Sequence, residues 1–390
     1  MTIEDVLDEL RRVAPELRAR AGEVERLGRL TDDHAALLKR AGVVRLLQPA
    51  RWGGFEAAPD SLFRAVAEVA RHCGASGWVC GIIGVHPWEL ALYDERAQEE
   101  VWGDDPDCWI SSTYMPTGTL TPVDGGYRLR GRWSFSSGCD LAEWMFLGAL
   151  LANAEDASAP PTYFHVLLPR ADYAIVDDTW NVVGLAGTGS KDITVDDVFV
   201  PDYRAVTDHC IVNGTAPGHA TASRLYHMPW SAIFPNAITA AMIGTAEQAL
   251  SAAIEYQRSR FSLALGTKVA KAEHTMSVIG EAAADIDASR ASMLANLDEM
   301  WQLVQQGDDV PFDTRVRSRA AQVRNGWRAT RAVDELFDLC GGGALRLDTV
   351  LQRAWRDLHA GLHHVINVPD RSFQSYASTL MGFGARESMV

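Results

Sequence analysis

Basic residues are scarce in this sequence: 36 Lys and Arg stand against 51 Asp and Glu, for a formal charge of −15. A chain of that sign repels polyanions, which excludes nucleic acid or an anionic membrane surface as the main partner. Paired cysteines are lacking too. The six (Cys73, Cys80, Cys108, Cys139, Cys210, Cys340) form no Cys-x-x-Cys pair, so neither a disulfide framework nor a zinc site is suggested. No stretch approaches the roughly 18 consecutive apolar residues of a membrane span, and Met1 to Arg20 hold no apolar core of signal-peptide type, which points to the cytoplasm. Nor is there a Gly-x-Gly-x-x-Gly after a strand or a Walker sequence, so a tightly held nicotinamide cofactor is not indicated. What is present is a globular composition, 47% hydrophobic and 22% charged over 390 residues, enough for two or three structural units and a large core.

The apolar pattern changes twice along the chain. From Thr2 to about Arg71 apolar residues recur at three- and four-residue steps (Ile3, Val6, Leu7, Leu10, then Leu37, Leu38, Val43), the period of amphipathic helices. Thr2 with Asp5 has the form of a capping box, and Thr31-Asp32 opens the next helix. Pro49, Gly53 and Gly54 interrupt this pattern before helices resume to about Val101. Between about Trp109 and Tyr203 short runs rich in β-formers follow one another: Tyr127–Arg130, Trp144–Leu147, Tyr163–Leu168 and Ile193–Val200. After Met228 long helical patterns return, at Ala237–Phe261, Lys268–Gln306 and Phe312–Leu339. The expected division is an N-terminal helical domain over 1–108, a central β domain over 109–205 and a C-terminal helical bundle over 206–390. The small-residue stretch Ala152–Pro161 reads as a surface loop.

Three segments, in order, carry a resemblance to the acyl-CoA dehydrogenase superfamily. Ile110-Ser-Ser-Thr-Tyr-Met-Pro-Thr-Gly118 sits where those proteins have a Thr-Glu-Pro flavin loop. Trp133-Ser-Phe-Ser-Ser-Gly-Cys-Asp140 stands where they have an Ile-Thr-Asn-Gly turn, and Trp180–Ser190 with Val198–Pro201 matches the loop and strand that close the β domain. Gln352-Arg-Ala-Trp-Arg-Asp357 is similar to the family's Arg-Asp segment. The resemblance implies an α+β multi-domain fold: N-terminal helices, a β-barrel-like middle and a C-terminal four-helix bundle. Within it, Arg51-Trp-Gly-Gly54, Gly77-Trp-Val79, Gly84–Trp88, Trp133–Gly138 and His359–His364 resemble the two-component, flavin-dependent aromatic monooxygenases, the branch of the seco-steroid and 4-hydroxyphenylacetate hydroxylase oxygenases. The dehydrogenases' Tyr-Glu-Gly segment is replaced by His359-Ala-Gly-Leu-His-His364, so a fatty-acyl reading loses its usual base.

That resemblance implies a 4a-hydroperoxide formed from reduced flavin and O2, which hydroxylates a phenol ortho to its hydroxyl. A hydroxyl bonded to flavin N5 protects the proton whose loss releases hydrogen peroxide. Ser136 takes that position, Ser137 is the adjacent fallback, and a turn serine serving local backbone is the alternative. A phenol with a pKa of about 10 needs a base at neutral pH. His364, nine residues after Trp355, aligns with the substrate-contacting histidine. His359 and His363 are spaced like two metal ligands on a helix that Gly361 is expected to break, but a third ligand is missing, and no metal is expected. Ser111, 25 positions before Ser136, is assigned the phenol oxygen, with Ser112 as its substitute. His86, eight residues after Trp78, lines the pocket or is a satisfied core histidine, and Trp78 covers the flavin or substrate face. Gly187-Thr-Gly-Ser190 offers Thr188 and Ser190 to the flavin phosphate, and Arg260 resembles the arginine that reaches a neighbouring subunit's flavin.

The cofactors so implied are reduced FMN, with FAD as the alternative, and O2. The partners are a separate NAD(P)H-dependent flavin reductase, a small aromatic substrate and three further copies of the chain in a homotetramer. An acyl-CoA dehydrogenase-type flavoenzyme and an S- or N-oxygenating monooxygenase on the same scaffold are the competing readings.

Overall fold

The computed structural model describes residues 2–152, 160–221, 223–262 and 267–384. The order helices, strands, long helices holds. The first part contains α1 (Ile3–Leu27), α2 (Asp32–Ala41), α3 (Pro59–Ala70), α4 (Gly74–Leu90) and α5 (Glu95–Trp102). Thr2 accepts from the Asp5 amide while Asp5 returns a bond to the Thr2 amide, and Thr31 accepts from His34, so both helix starts are closed by the side chains expected.

The middle is a sheet of β1 (Ile110–Val123), β2 (Gly126–Ser136), β3 (Trp144–Leu151), β4 (Thr162–Pro169), β5 (Ala174–Val176), β6 (Lys191–Pro201) and β7 (Ala205–Thr207). Its order is β5-β6-β2-β1-β3-β4-β7. Where a barrel-like closure was expected, β5 and β7 are not paired with each other and the sheet is open, with edges only three residues long. One face buries its own core of Leu129, Trp133, Met145, Leu147 and Val166. The Ile110–Gly118 segment, read as a loop, lies within β1. Pro116 sits where the β1–β3 register shifts between Thr113 and Gly118, so an irregularity absorbs the missing amide donor.

The last part comprises α6 (Asp208–Val212), α7 (Trp230–Ser259), α8 (Glu273–Gln306), α9 (Phe312–Cys340), α10 (Val350–Leu362) and α11 (Pro369–Leu380). By length and composition α7 could cross a membrane, yet 72% of its most apolar window is buried inside the fold. It is the helix on which α3, α4, α9 and α10 pack. The three apolar helix patterns read from the sequence correspond to α7, α8 and α9. The expected surface loop at Ala152–Pro161 falls largely outside the described residues.

Candidate active site

Helix α4 is buried along nearly its whole length and carries both Trp78 and His86. Its approach to α3 depends on Gly77, where a Cβ would lie 2.4 Å from that of Ala70. This close packing aims Trp78 at the turn following β2. The Trp78 Nε1–H donates to Ser137 Oγ at 3.3 Å, Ser137 Oγ lies 2.8 Å from Ser190 Oγ, and Ser190 Oγ lies 2.7 Å from Thr188 Oγ1. Thr188 donates to the Leu185 carbonyl at 2.8 Å. Each hydroxyl has one proton, so the last bond sets all the others. Protons run from Trp78 to Ser137, to Ser190, to Thr188 and out to Leu185.

This chain bears on the Thr188 and Ser190 assignments. Both are brought to the site, but both are buried and their protons are spent on protein oxygens, leaving lone pairs toward an anion. The arrangement fixes Trp78 and the turn rather than offering donors to a phosphate. Below it, Ser111 Oγ donates to the Ser137 carbonyl at 2.8 Å, so the first predicted phenol contact holds the same turn and retains acceptor capacity only.

Ser136 is different. It is fully buried at the end of β2, and its Oγ has no hydrogen-bond partner among the described residues. An unsatisfied buried hydroxyl costs about 1–3 kcal/mol, and such a group in a native fold marks capacity kept for something bound. The preceding Phe135 has φ +71°, is 66% exposed, and sets its ring edge to face against Trp180 at 6.0 Å. A non-glycine residue held in the left-handed region beside an orphan hydroxyl is the local strain expected at a binding turn.

His86 is fully buried with both nitrogens engaged: Nδ1 donates to the Ile110 carbonyl at 2.5 Å and Nε2 accepts from Ser112 Oγ at 2.8 Å. Burial pushes its pKa down to about 4, against the opposing charge of Glu89, so the ring is neutral. Its edge meets Phe146 at 5.7 Å, and Tyr114 and Phe234 lie within 6.2 Å. This geometry makes His86 a wall of an aromatic cluster with no ring nitrogen left over, and it commits Ser112 to that wall.

Helix α10 does not break at Gly361. It runs to Leu362, and Gly361 serves instead as the point where the Trp78 ring comes closest, 3.1 Å from a would-be Cβ. His364 leaves the helix just beyond and presents its ring edge to Trp78 at 5.8 Å. Its Nδ1 accepts from the Ile366 amide at 3.2 Å, so the neutral ring carries its proton on Nε2. Burial first, then the Arg319 guanidinium, push its pKa down to about 4. His359 turns away: Nε2 meets Asp334 at 2.8 Å beside the Trp355 ring. His363 lines a separate cleft of about 180 Å³ with His359, Asp334, Arg331 and Trp327.

Arg260 is not brought together with these residues. It follows the C-terminal end of α7, over the Tyr256 ring, whereas the site touches α7 near Met242; 18 helical residues separate the two by roughly 27 Å. Sequence reasoning missed Asp357, although it lay in a quoted motif. Its carboxylate accepts the Leu185 amide at 2.6 Å and so ties α10 to the loop that ends the hydroxyl chain, with burial raising its pKa to about 6. It also missed Arg319 and the pair Glu89–His165, because nothing in the local pattern distinguishes them from surface charges.

Helices flanking an open sheet, a reserved serine on a strained turn and a neutral histidine across an indole define an acyl-CoA dehydrogenase-type architecture refitted without the carboxylate base. The model of the acyl-CoA dehydrogenase C-terminal domain matches residues 236–369. The pigment production hydroxylase of Rhodococcus erythropolis is 47% identical over 387 residues, 99% of this chain and 98% of that protein. The flavin-dependent monooxygenase oxygenase subunit HsaA of Rhodococcus jostii is 44% identical, over 96% and 98% of the two chains. The crystal structure of the HsaA monooxygenase from Mycobacterium tuberculosis superposes with a TM-score of 0.94 at 40% identity, covering 100% of both chains. The chain belongs to the flavin-dependent monooxygenases of the acyl-CoA dehydrogenase fold, as an oxygenase component. The residues fit a flavin: Ser136 Oγ is a buried hydroxyl without a partner among the described residues, and the turn that carries it is fixed from both sides.

Proposed function

We propose that the chain hydroxylates a phenolic ring ortho to its hydroxyl, using O2 and reduced FMN, with FAD as the alternative, delivered by a separate NAD(P)H-dependent reductase. The observation that carries this reading is a buried hydroxyl without a partner among the described residues, Ser136, on the turn whose next residue, Ser137, accepts from the Trp78 indole against which the neutral imidazole of His364 packs. When bound, the reduced flavin supplies the activated oxygen. Ser136 holds the N5 proton, and the Ser111 and Ser137 contacts keep the turn from moving as it does so. Trp78 covers the ring face and excludes water from it. His364 directs its Nε2–H at the phenolic oxygen and donates to it, which favours the phenolate, whose proton leaves to solvent and whose ortho carbon is electron-rich; no carboxylate is needed for this, and the neutral ring is suited to it. His86 with Tyr114, Phe146 and Phe234 forms the apolar wall that a planar substrate packs against.

The same reading places Arg260 at a neighbouring subunit's flavin in a homotetramer. Leu345, Leu347, Val365, Leu380, Met381 and Phe383 are exposed along the C-terminal part, more apolar surface than one chain covers by itself, which supports self-association. The test is oxygen uptake with chemically reduced FMN across a panel of phenols, followed by product mass. A product heavier by one oxygen is expected; oxygen consumed entirely to hydrogen peroxide with every phenol, but transferred to a thioether or amine, replaces this reading with S- or N-oxygenation.

A further inference from the structure

The loop that carries His364 is pinned from α9 by a charged side chain that the reaction itself does not use. Arg319 is 2% exposed and donates to the Ile366 carbonyl at 2.6 Å, while its other terminal nitrogen donates to Gln322 Oε1. The Gln322 amide continues to Thr239 Oγ1 at 2.6 Å and to Asn367 Oδ1 at 3.0 Å. Asn367 donates to the Gly361 carbonyl at 2.8 Å, and its own carbonyl accepts from Trp327 at 2.9 Å. Ile366 thus has its carbonyl fixed by Arg319 and its amide directed at His364 Nδ1. We infer that Arg319 is a positioning residue for oxygen transfer, holding Ile366 so that His364 is kept neutral with its proton on Nε2.

The geometry enforces this through two donors. If His364 took a proton on Nδ1, that N–H would face the Ile366 N–H at 3.2 Å, and the carbonyl bond to Arg319 fixes the next peptide, which limits how far Ile366 can turn to relieve the clash. A buried guanidinium also opposes a second positive charge nearby. Among the described residues around the imidazole, α4 presents the Trp78 ring, and on α10 His359 is directed to Asp334 while Asp357 is committed to the Leu185 amide. Only an Nε2–H tautomer is compatible with all of these bonds, so a substrate phenol meets the same face of the ring in every turnover.

This inference rests on the proposed role of His364, and the experiment separates the two. Nitrogen NMR of histidine-labelled protein, with the His364 signal identified by its loss in His364→Asn, reads tautomer and titration without flavin or substrate. In the unaltered protein the ring should be the Nε2–H tautomer and should not become charged above pH 5. In Arg319→Gln, which retains a donor for Ile366 but not the charge, the midpoint should rise by at least about one pH unit, a tenfold change in the protonation equilibrium; Arg319→Lys should restore it. Product formed per oxygen consumed should then fall toward acid in Arg319→Gln and recover toward alkaline pH. An Nδ1–H tautomer or a charged ring above pH 6 in the unaltered protein overturns the inference even if the variants do not fold. An unshifted midpoint in Arg319→Gln overturns it as well. A shifted midpoint together with no phenol hydroxylation by the unaltered protein leaves the Arg319 effect standing and removes the proposed reaction instead.

Discussion

Removing the Ser136 hydroxyl should have opposite effects on stability and on function. In the folded chain this oxygen is buried and has no partner among the described residues, so Ser136→Ala relieves a desolvated polar group at the expense of a very small void. The gain is about 1–2 kcal/mol in the flavin-free protein. For a chain of 390 residues, with an unfolding entropy of about 2.1 cal/mol/K per residue, that corresponds to a melting temperature higher by about 1–3 °C. With reduced FMN and a phenol the sign reverses, because the lost bond to N5 is worth about the same amount. Oxygen consumption should continue while hydrogen peroxide rises and hydroxylated product falls about tenfold. Differential scanning fluorimetry of the flavin-free protein and a paired oxygen, peroxide and product balance read the two halves. A melting temperature lowered by more than about 2 °C means that the hydroxyl serves the protein, and an unchanged peroxide yield means that it does not serve the flavin; either result refutes the reasoning.

His364→Ala should consume oxygen with reduced flavin at near-normal speed and lose product about a hundredfold or more, with the largest loss for phenols of highest pKa, as a panel of substituted phenols would show. The pair Glu89–His165 predicts an alkaline limb in stability. Burial alone would lower the pKa of His165, but Glu89 at 2.7 Å and Asp208 at 3.6 Å outweigh it and raise it to about 9. A raised pKa stabilises fully below the ordinary histidine value and is lost as pH rises through about 9, so thermal midpoints should fall from pH 7 to 9.5 and Glu89→Gln should flatten that fall while costing about 3–5 kcal/mol overall. Light scattering should give four times the 42.7 kDa chain mass; a stable monomer removes the reason to expect Arg260 at a neighbouring flavin.

Periodicity and composition already contained the order of the elements. Helical steps from Ile3 onward, β-formers from Tyr127 to Val200 and long apolar helices after Met228 are local properties, and local properties are visible in a linear chain. The motifs also marked the turn at Ser136 and the histidine at 364. Tertiary structure alone decided how those residues are used. Ser111, Ser112, Thr188 and Ser190 look alike in sequence, yet the first holds the Ser137 carbonyl, the second faces His86 and the last two pass protons down a closed chain. Ser136 differs from them because packing denies it a partner. Segment 110–118 reads as a loop from its resemblance to a flavin loop, and only its pairing with β3 makes it part of a strand. The charge states are likewise nonlocal: Arg319, 45 residues before His364, acts on it through Ile366, and His86 and His165 shift in opposite directions because burial prevails at the first ring, whereas Glu89 and Asp208 outweigh it at the second. Sequence determines the inventory and its periodicity, whereas proton direction and protonation state belong to distances between residues far apart along the chain.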